Sequence, residues 1–147
     1  MKFNTILLTI FLFSAALNGC IMQTRNKQEF LNQAAVEDFI GAKIPGNATN
    51  MKFSQQQGLD TIFYLRFNLS PSELMTFLQE LGFKRSLRDL FPIVPTVSSG
   101  GRPDWWIPDQ LSTYAAEEDI IHGKVYQVVV DKTDPNSWVV YMLVSTQ

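Results

Sequence analysis

The side chains of this chain that could do chemistry are few and scattered. His122 is the sole histidine and stands in Ile121-His122-Gly123, just before a strand-like run. An imidazole acts as general acid or base only with a partner group in hydrogen-bond reach. A surface turn is the plainer reading of His122, and a small envelope enzyme pairing it with a carboxylate stands as the alternative. Ser98-Ser99-Gly100-Gly101 is flexible but has neither the Gly-x-Ser-x-Gly order nor the strand-to-helix setting of a nucleophile elbow. Glu117-Glu118-Asp119 could hold Ca²⁺ together with Asp104 or Asp109, or form a solvated acidic run, which is the simpler reading. Asp131-Lys132-Thr133-Asp134 lacks the alternating ligands and glycine of an EF-hand loop. There is no His-Glu-x-x-His and no glycine-rich phosphate loop. No catalytic residue, metal site or cofactor is therefore expected.

Recognition chemistry is better represented. Arg102-Pro103-Asp104-Trp105-Trp106-Ile107-Pro108-Asp109 places two adjacent tryptophans between prolines. Such a pair could form an aromatic platform for a sugar, a peptide or a protein. The simpler reading makes it a hydrophobic lid on a sheet; the two readings combine if one tryptophan lies inside and the other outside. Arg66 lies among apolar neighbours on a strand and is expected to pair with a carboxylate such as Asp131, a ligand clamp being the alternative. Lys84, Arg85 and Arg88 follow a predicted helix and read as end-of-helix charge. Trp105, Trp106 and Arg66 are thus the candidate binding residues.

Cys20 is the only cysteine, so no intramolecular disulfide can form. The residues before it form a distinct segment. Lys2 is followed by the apolar run Ile6–Phe13, then Ser14-Ala15-Ala16, with no charge from Phe3 to Gln23. That order is a secretory signal, too short for a comfortable membrane span. Leu17-Asn18-Gly19-Cys20 resembles the lipobox of bacterial lipoproteins, with Asn18 as the discordant residue. The resemblance implies acylation of Cys20, cleavage just before it, and attachment to a bacterial envelope membrane by lipid such as palmitate. The alternative is an ordinary secretory signal cut after Ala16, leaving a free thiol. Ile21, rather than an aspartate, follows the cysteine, which favours the outer membrane in a host with two membranes.

Residues 1–19 are accordingly expected to be a signal peptide, 20–27 an acylated cysteine with its tether, and 28–147 one domain. The seven residues Ile21–Lys27 reach about 25 Å at full extension, which keeps the domain near the membrane surface. The whole chain has 147 residues, 46% hydrophobic and 18% charged, with a formal charge of −2. It suits one globular domain and offers no basic patch for nucleic acid.

The elements that must carry these residues follow from spacing. Asn26-Lys27-Gln28-Glu29 reads as a capping box, followed by Phe30, Leu31, Ala34, Ala35 and Ile40 at helical spacing and a stop at Gly41. Ile44-Pro45-Gly46-Asn47 signals a turn, and residues 51–57 a polar edge strand. Residues 61–69 alternate Phe63, Leu65, Phe67 and Leu69 against Ile62, Tyr64, Arg66 and Asn68. The first set is expected to pack on helices; the second is more polar and open to solvent or a partner. Ser70-Pro71-Ser72-Glu73 starts a second helix that Gly82 ends. Residues 83–123 show little regular pattern and read as a long loop, and 124–131 and 138–144 as two final strands. The predicted fold class is α+β, a two-layer antiparallel sheet of about four strands with two helices on one face, in the order αββα-(long loop)-ββ.

Taken together, Ile44–Asn50, Tyr64–Phe67, Ser70–Leu74, Trp105–Pro108 and the two terminal strands resemble a group of small bacterial lipoproteins and secreted proteins with no established activity. The expectation is a lipid-anchored envelope domain that binds a protein or ligand, more in keeping with a non-enzyme than an enzyme. An immunity-type inhibitor that meets a toxin through an acidic patch at Glu117–Asp119 is the alternative.

Overall fold

The computed structural model describes residues 32–58, 60–92 and 101–146. Its centre is one antiparallel sheet of six strands in the order β1-β2-β6-β5-β4-β3. These are β1 (Thr49–Gln57), β2 (Thr61–Leu69), β3 (Arg88–Asp89), β4 (Tyr114–Ile121), β5 (Lys124–Asp131) and β6 (Trp138–Thr146). Two short helices, α1 (Gln33–Ile40) and α2 (Pro71–Leu81), and a 3₁₀ turn at Pro108–Gln110 complete the elements. The expected two-layer α+β fold on about four strands is therefore corrected: the fold is sheet-dominated, with six strands. The missing strands lay in the stretch read as a loop. Three consecutive acidic residues, Glu117-Glu118-Asp119, conceal β4, because carboxylates are depleted in strands.

Local signals held where they were strong. Ser70 donates from N and Oγ to Glu73 Oε2, at 3.4 and 2.5 Å, and Pro71 opens α2 with its fixed φ. Gly82 leaves the helix at φ +100°, a conformation that a Cβ would strain. Helix α1 begins later than its spacing suggested. Asn32 caps it, its side chain accepting from Ala35 N at 2.8 Å, and Gly41 closes it at φ +75°. The expected capping box at Asn26–Glu29, together with Cys20, the signal segment and the tether, lies outside the described residues.

Alternation along the strands divides the side chains into two cores. On one face, Phe63, Leu65, Phe67, Val128, Val140 and Met142 pack against Val36 and Ile40 of α1 and Leu74, Phe77 and Leu78 of α2. Tyr126 ties this layer together by donating its hydroxyl to Ile40 O at 2.8 Å. Each fully buried aliphatic or aromatic side chain here contributes about 1.5–3 kcal/mol. The opposite face carries Ile62, Tyr64, Ala116, Val129, Tyr141 and Leu143, all buried beneath Trp106. The expectation that this second face is polar and open is corrected accordingly.

The two edges of the sheet differ. Along β4, Arg85 Nη2 donates to Glu118 O at 2.7 Å, Lys84 N to Asp119 Oδ2 at 3.2 Å, and Leu90 N to Tyr114 O at 3.0 Å. At the other edge β1 is exposed or half-buried throughout, as its polar sequence predicts.

Candidate functional site

Trp106 is the keystone of the second face. Prolines on either side restrict the segment, and Trp106 N donates to Pro103 O at 2.9 Å to form a tight turn. The indole is 5% exposed and meets Tyr64 and Tyr141 edge-to-face, with ring centroids 5.0 and 5.7 Å away. Neither neighbour is close to it in sequence: the pairing of β2 with β6 brings the two tyrosines together, and the loop packs Trp106 on them. Trp105 is half-buried and contacts Trp106 at 6.3 Å. Trp106 therefore lies inside, as a lid requires, and Trp105 toward the outside. Trp106 Nε1 is buried and has no hydrogen-bond partner among the described residues, a desolvation cost of about 1–3 kcal/mol that the aromatic packing must offset.

Arg66 shares this face. Its guanidinium lies 5.8 Å from the centroid of Tyr141, the ring that Trp106 also meets, and Nη1 reaches Asn50 O at 3.4 Å. The expected pairing with Asp131 does not form; Asp131 Oδ1 instead accepts from Thr133 N and Oγ1 at 2.9 and 2.5 Å. Tyr141 therefore links two of the sequence-named candidates, Arg66 and Trp106, and Trp105 joins them through its neighbour.

A pocket of ≈170 Å³ opens between this cover and the sheet. One wall comes from the covering segment: Trp106, Pro108, Asp109 and Leu111. The other comes from Tyr114 of β4 and Gln127 and Val129 of β5. The 3₁₀ turn is held by Gln110 N to Ile107 O at 3.0 Å and Leu111 N to Pro108 O at 3.3 Å. Gln127 is 3% exposed and donates Nε2 to Glu118 Oε2 at 2.6 Å, which pins its amide. Asp109 Oδ2 accepts from Arg102 Nη2 at 3.3 Å at the open side. Tyr114 and Gln127 carried no signal that sequence reading used, since their role depends on β4 being a strand.

Other candidates fall elsewhere. Glu117 is fully buried, so the reading of residues 117–119 as a solvated acidic run is corrected. Arg88 Nε and Arg85 Nη2 reach its carboxylate at 2.8 and 3.1 Å. Arg85 and Arg88, read as helix-end charge together with Lys84, are thus the counter-charge of a buried glutamate. His122 is exposed at the β4–β5 turn, where it and Gly123 have φ +50° and +76°. Asp109 is engaged by Arg102, and Asp119 by Lys84 N and Ile120 N. Among the described residues no group of three or more His, Cys, Asp or Glu is placed to hold a metal ion, and no helix is long and apolar enough to cross a membrane. Comparison with known proteins finds no protein-family model, no curated protein and no solved structure that matches the chain.

Proposed function

We propose that this chain is a lipid-anchored domain of the bacterial envelope that binds a protein or ligand at the membrane surface without catalysing a reaction. The anchor rests on the signal-like residues 1–19 and on Cys20 as the acylated terminus. The observation that carries the binding half is the covered sheet face. Trp106, Tyr64 and Tyr141 form a rigid aromatic layer, with Trp105 and Arg66 at its outer side and a pocket at its margin. A face built this way suits recognition, because its groups are already ordered and little entropy is lost on binding. His122 sits at a hairpin tip that satisfies its own backbone geometry, which gives no support to a base in a site.

Two measurements test the halves separately. Mass spectrometry of the membrane-extracted chain should find an N-terminal Cys20 carrying diacylglyceryl and a further acyl chain; an intact, unmodified Cys20 overturns the anchor. Affinity capture from envelope extract should lose partners when Trp105→Ala and Arg66→Ala are combined. Both residues are partly exposed, so folding is retained. Recovery of the same set by wild type and variant overturns the binding face.

A further inference from the structure

We infer that the pocket beside Trp106 is a binding site for a single aromatic ring bearing a polar substituent, of the phenol or tyrosine type. The inference deepens the binding half of the reading above and is independent of the lipid anchor. Size sets the class of ligand. At ≈170 Å³ the pocket is comparable to cavities of about 150 Å³ that accommodate benzene. It is well below the roughly 300–1,000 Å³ of sites for nucleotides, cofactors and other metabolite-sized ligands. A single ring matches this volume.

The lining sets the chemistry. Trp106, Leu111, Tyr114 and Val129 offer aromatic and aliphatic walls, against which a ring packs edge-to-face or offset. Trp106 already takes part in three such edge-to-face contacts, so the wall is fixed before a ligand arrives. Two polar side chains complete the lining. Gln127 is buried and pinned by Glu118, and Asp109 stands at the open side paired with Arg102. A few placed polar groups in an apolar pocket orient a ligand that carries one polar atom. The covering segment is stiffened by Pro103 and Pro108 and by the 3₁₀ turn, so a ligand entering beside it costs little ordering.

The same ring could arrive as a free small molecule or as a tyrosine side chain of a partner, and the test separates them. The chain from residue 20 onward, carrying Cys20→Ser to prevent acylation, contains every described element. It is titrated with p-cresol, with toluene and with a Gly-Gly-Tyr-Gly peptide. Binding is followed by NMR at the Trp106 indole N–H and the Val129 methyls. The expected result is saturable p-cresol binding with a Kd of about 1 mM or below, tighter than toluene. Peptide binding of similar strength assigns the ring to a partner's side chain, and its absence assigns it to a free ligand. Leu111→Trp should fill the pocket from its half-buried side and weaken p-cresol at least about tenfold, with an unchanged unfolding midpoint. If Leu111→Trp unfolds the domain, Leu111→Phe serves the same purpose. No saturable shift up to about 10 mM p-cresol, toluene binding as tightly, or binding untouched by filling the pocket overturns the inference. Any of those results leaves the N-terminal mass and the partner capture unaffected.

Discussion

Arg88 closes on Glu117 with a forked contact, Nε to Oε2 at 2.8 Å and Nη2 to Oε1 at 3.1 Å, while Glu117 is shut off from solvent. Arg85 Nη2 also reaches Oε1, at 3.1 Å, and the backbone N–H of Glu118 adds a further bond to the same oxygen. The two arginines are 57% and 44% exposed, so the charge pair is buried at one end only. Removing the arginines strands a carboxylate in the core. Arg85→Ala/Arg88→Ala should cost about 2–4 kcal/mol, discounted from the fully buried case for solvent screening. Glu117→Met added to that double variant should recover part of the loss. Urea unfolding decides it; a triple variant no more stable than the double would contradict the account.

Glu37 ties the end of α1 to the next loop. Oε2 accepts from Lys43 Nζ at 2.8 Å, and Oε1 from Gln33 Nε2 at 2.8 Å and Ile44 N at 3.1 Å. The hydrogen bond from Lys43, followed by that from Gln33, holds this carboxyl below its ordinary value of 4.5. Glu73 is lowered too, by Ser70 first and then Asn47. A depressed carboxyl contributes stability that is fully present above its unfolded pKa and is lost as pH falls through its folded one. Stability should therefore decline below pH 4.5. Glu37→Gln should flatten part of that decline while lowering stability at neutral pH. Unfolding midpoints from about pH 2.5 to about pH 7 read both effects; an unchanged acid limb would remove Glu37 from it.

The two tryptophans should respond unequally to truncation. Trp106→Ala leaves a void above Tyr64 and Tyr141 and should cost about 3–5 kcal/mol. Trp105→Ala removes a half-buried ring and should cost about 1 kcal/mol. Guanidinium unfolding with near-ultraviolet circular dichroism checks this, and equal losses would contradict the inside–outside arrangement.

At the β4–β5 turn, residues 122 and 123 both occupy left-handed backbone, the pattern of a two-residue hairpin loop. Gly123→Ala should cost about 1 kcal/mol from strain alone. His122→Asn should be neutral or slightly stabilising, since asparagine tolerates that region. His122→Ala should retain partner capture in full. Loss of function in a folded His122→Ala variant would restore the histidine as a chemical group.

How much of this fold is legible in the chain depends on the range of the signal. The capping box at Ser70–Glu73, the glycine stops at Gly41 and Gly82, and the alternation of β2 are local, and each forms where its spacing places it. The strands at 124–131 and from 138 were legible for the same reason, being rich in β-branched and aromatic residues. Strand β4 was not. Its carboxylates disfavour a strand until Arg85 and Arg88 arrive from another part of the chain to neutralise Glu117.

The candidate site divides in the same way. Residue types alone pointed to Trp105, Trp106 and Arg66, because two tryptophans between prolines and an isolated arginine are uncommon wherever they fold. Which tryptophan is buried, what Arg66 faces and the existence of a pocket depended on strand order. Tyr141, which joins Arg66 to Trp106, lies 75 residues beyond the arginine in sequence and beside it only because β6 pairs with β2. Periodicity says which residues share a face of one strand. Only the pairing of strands distant in sequence says what those faces meet.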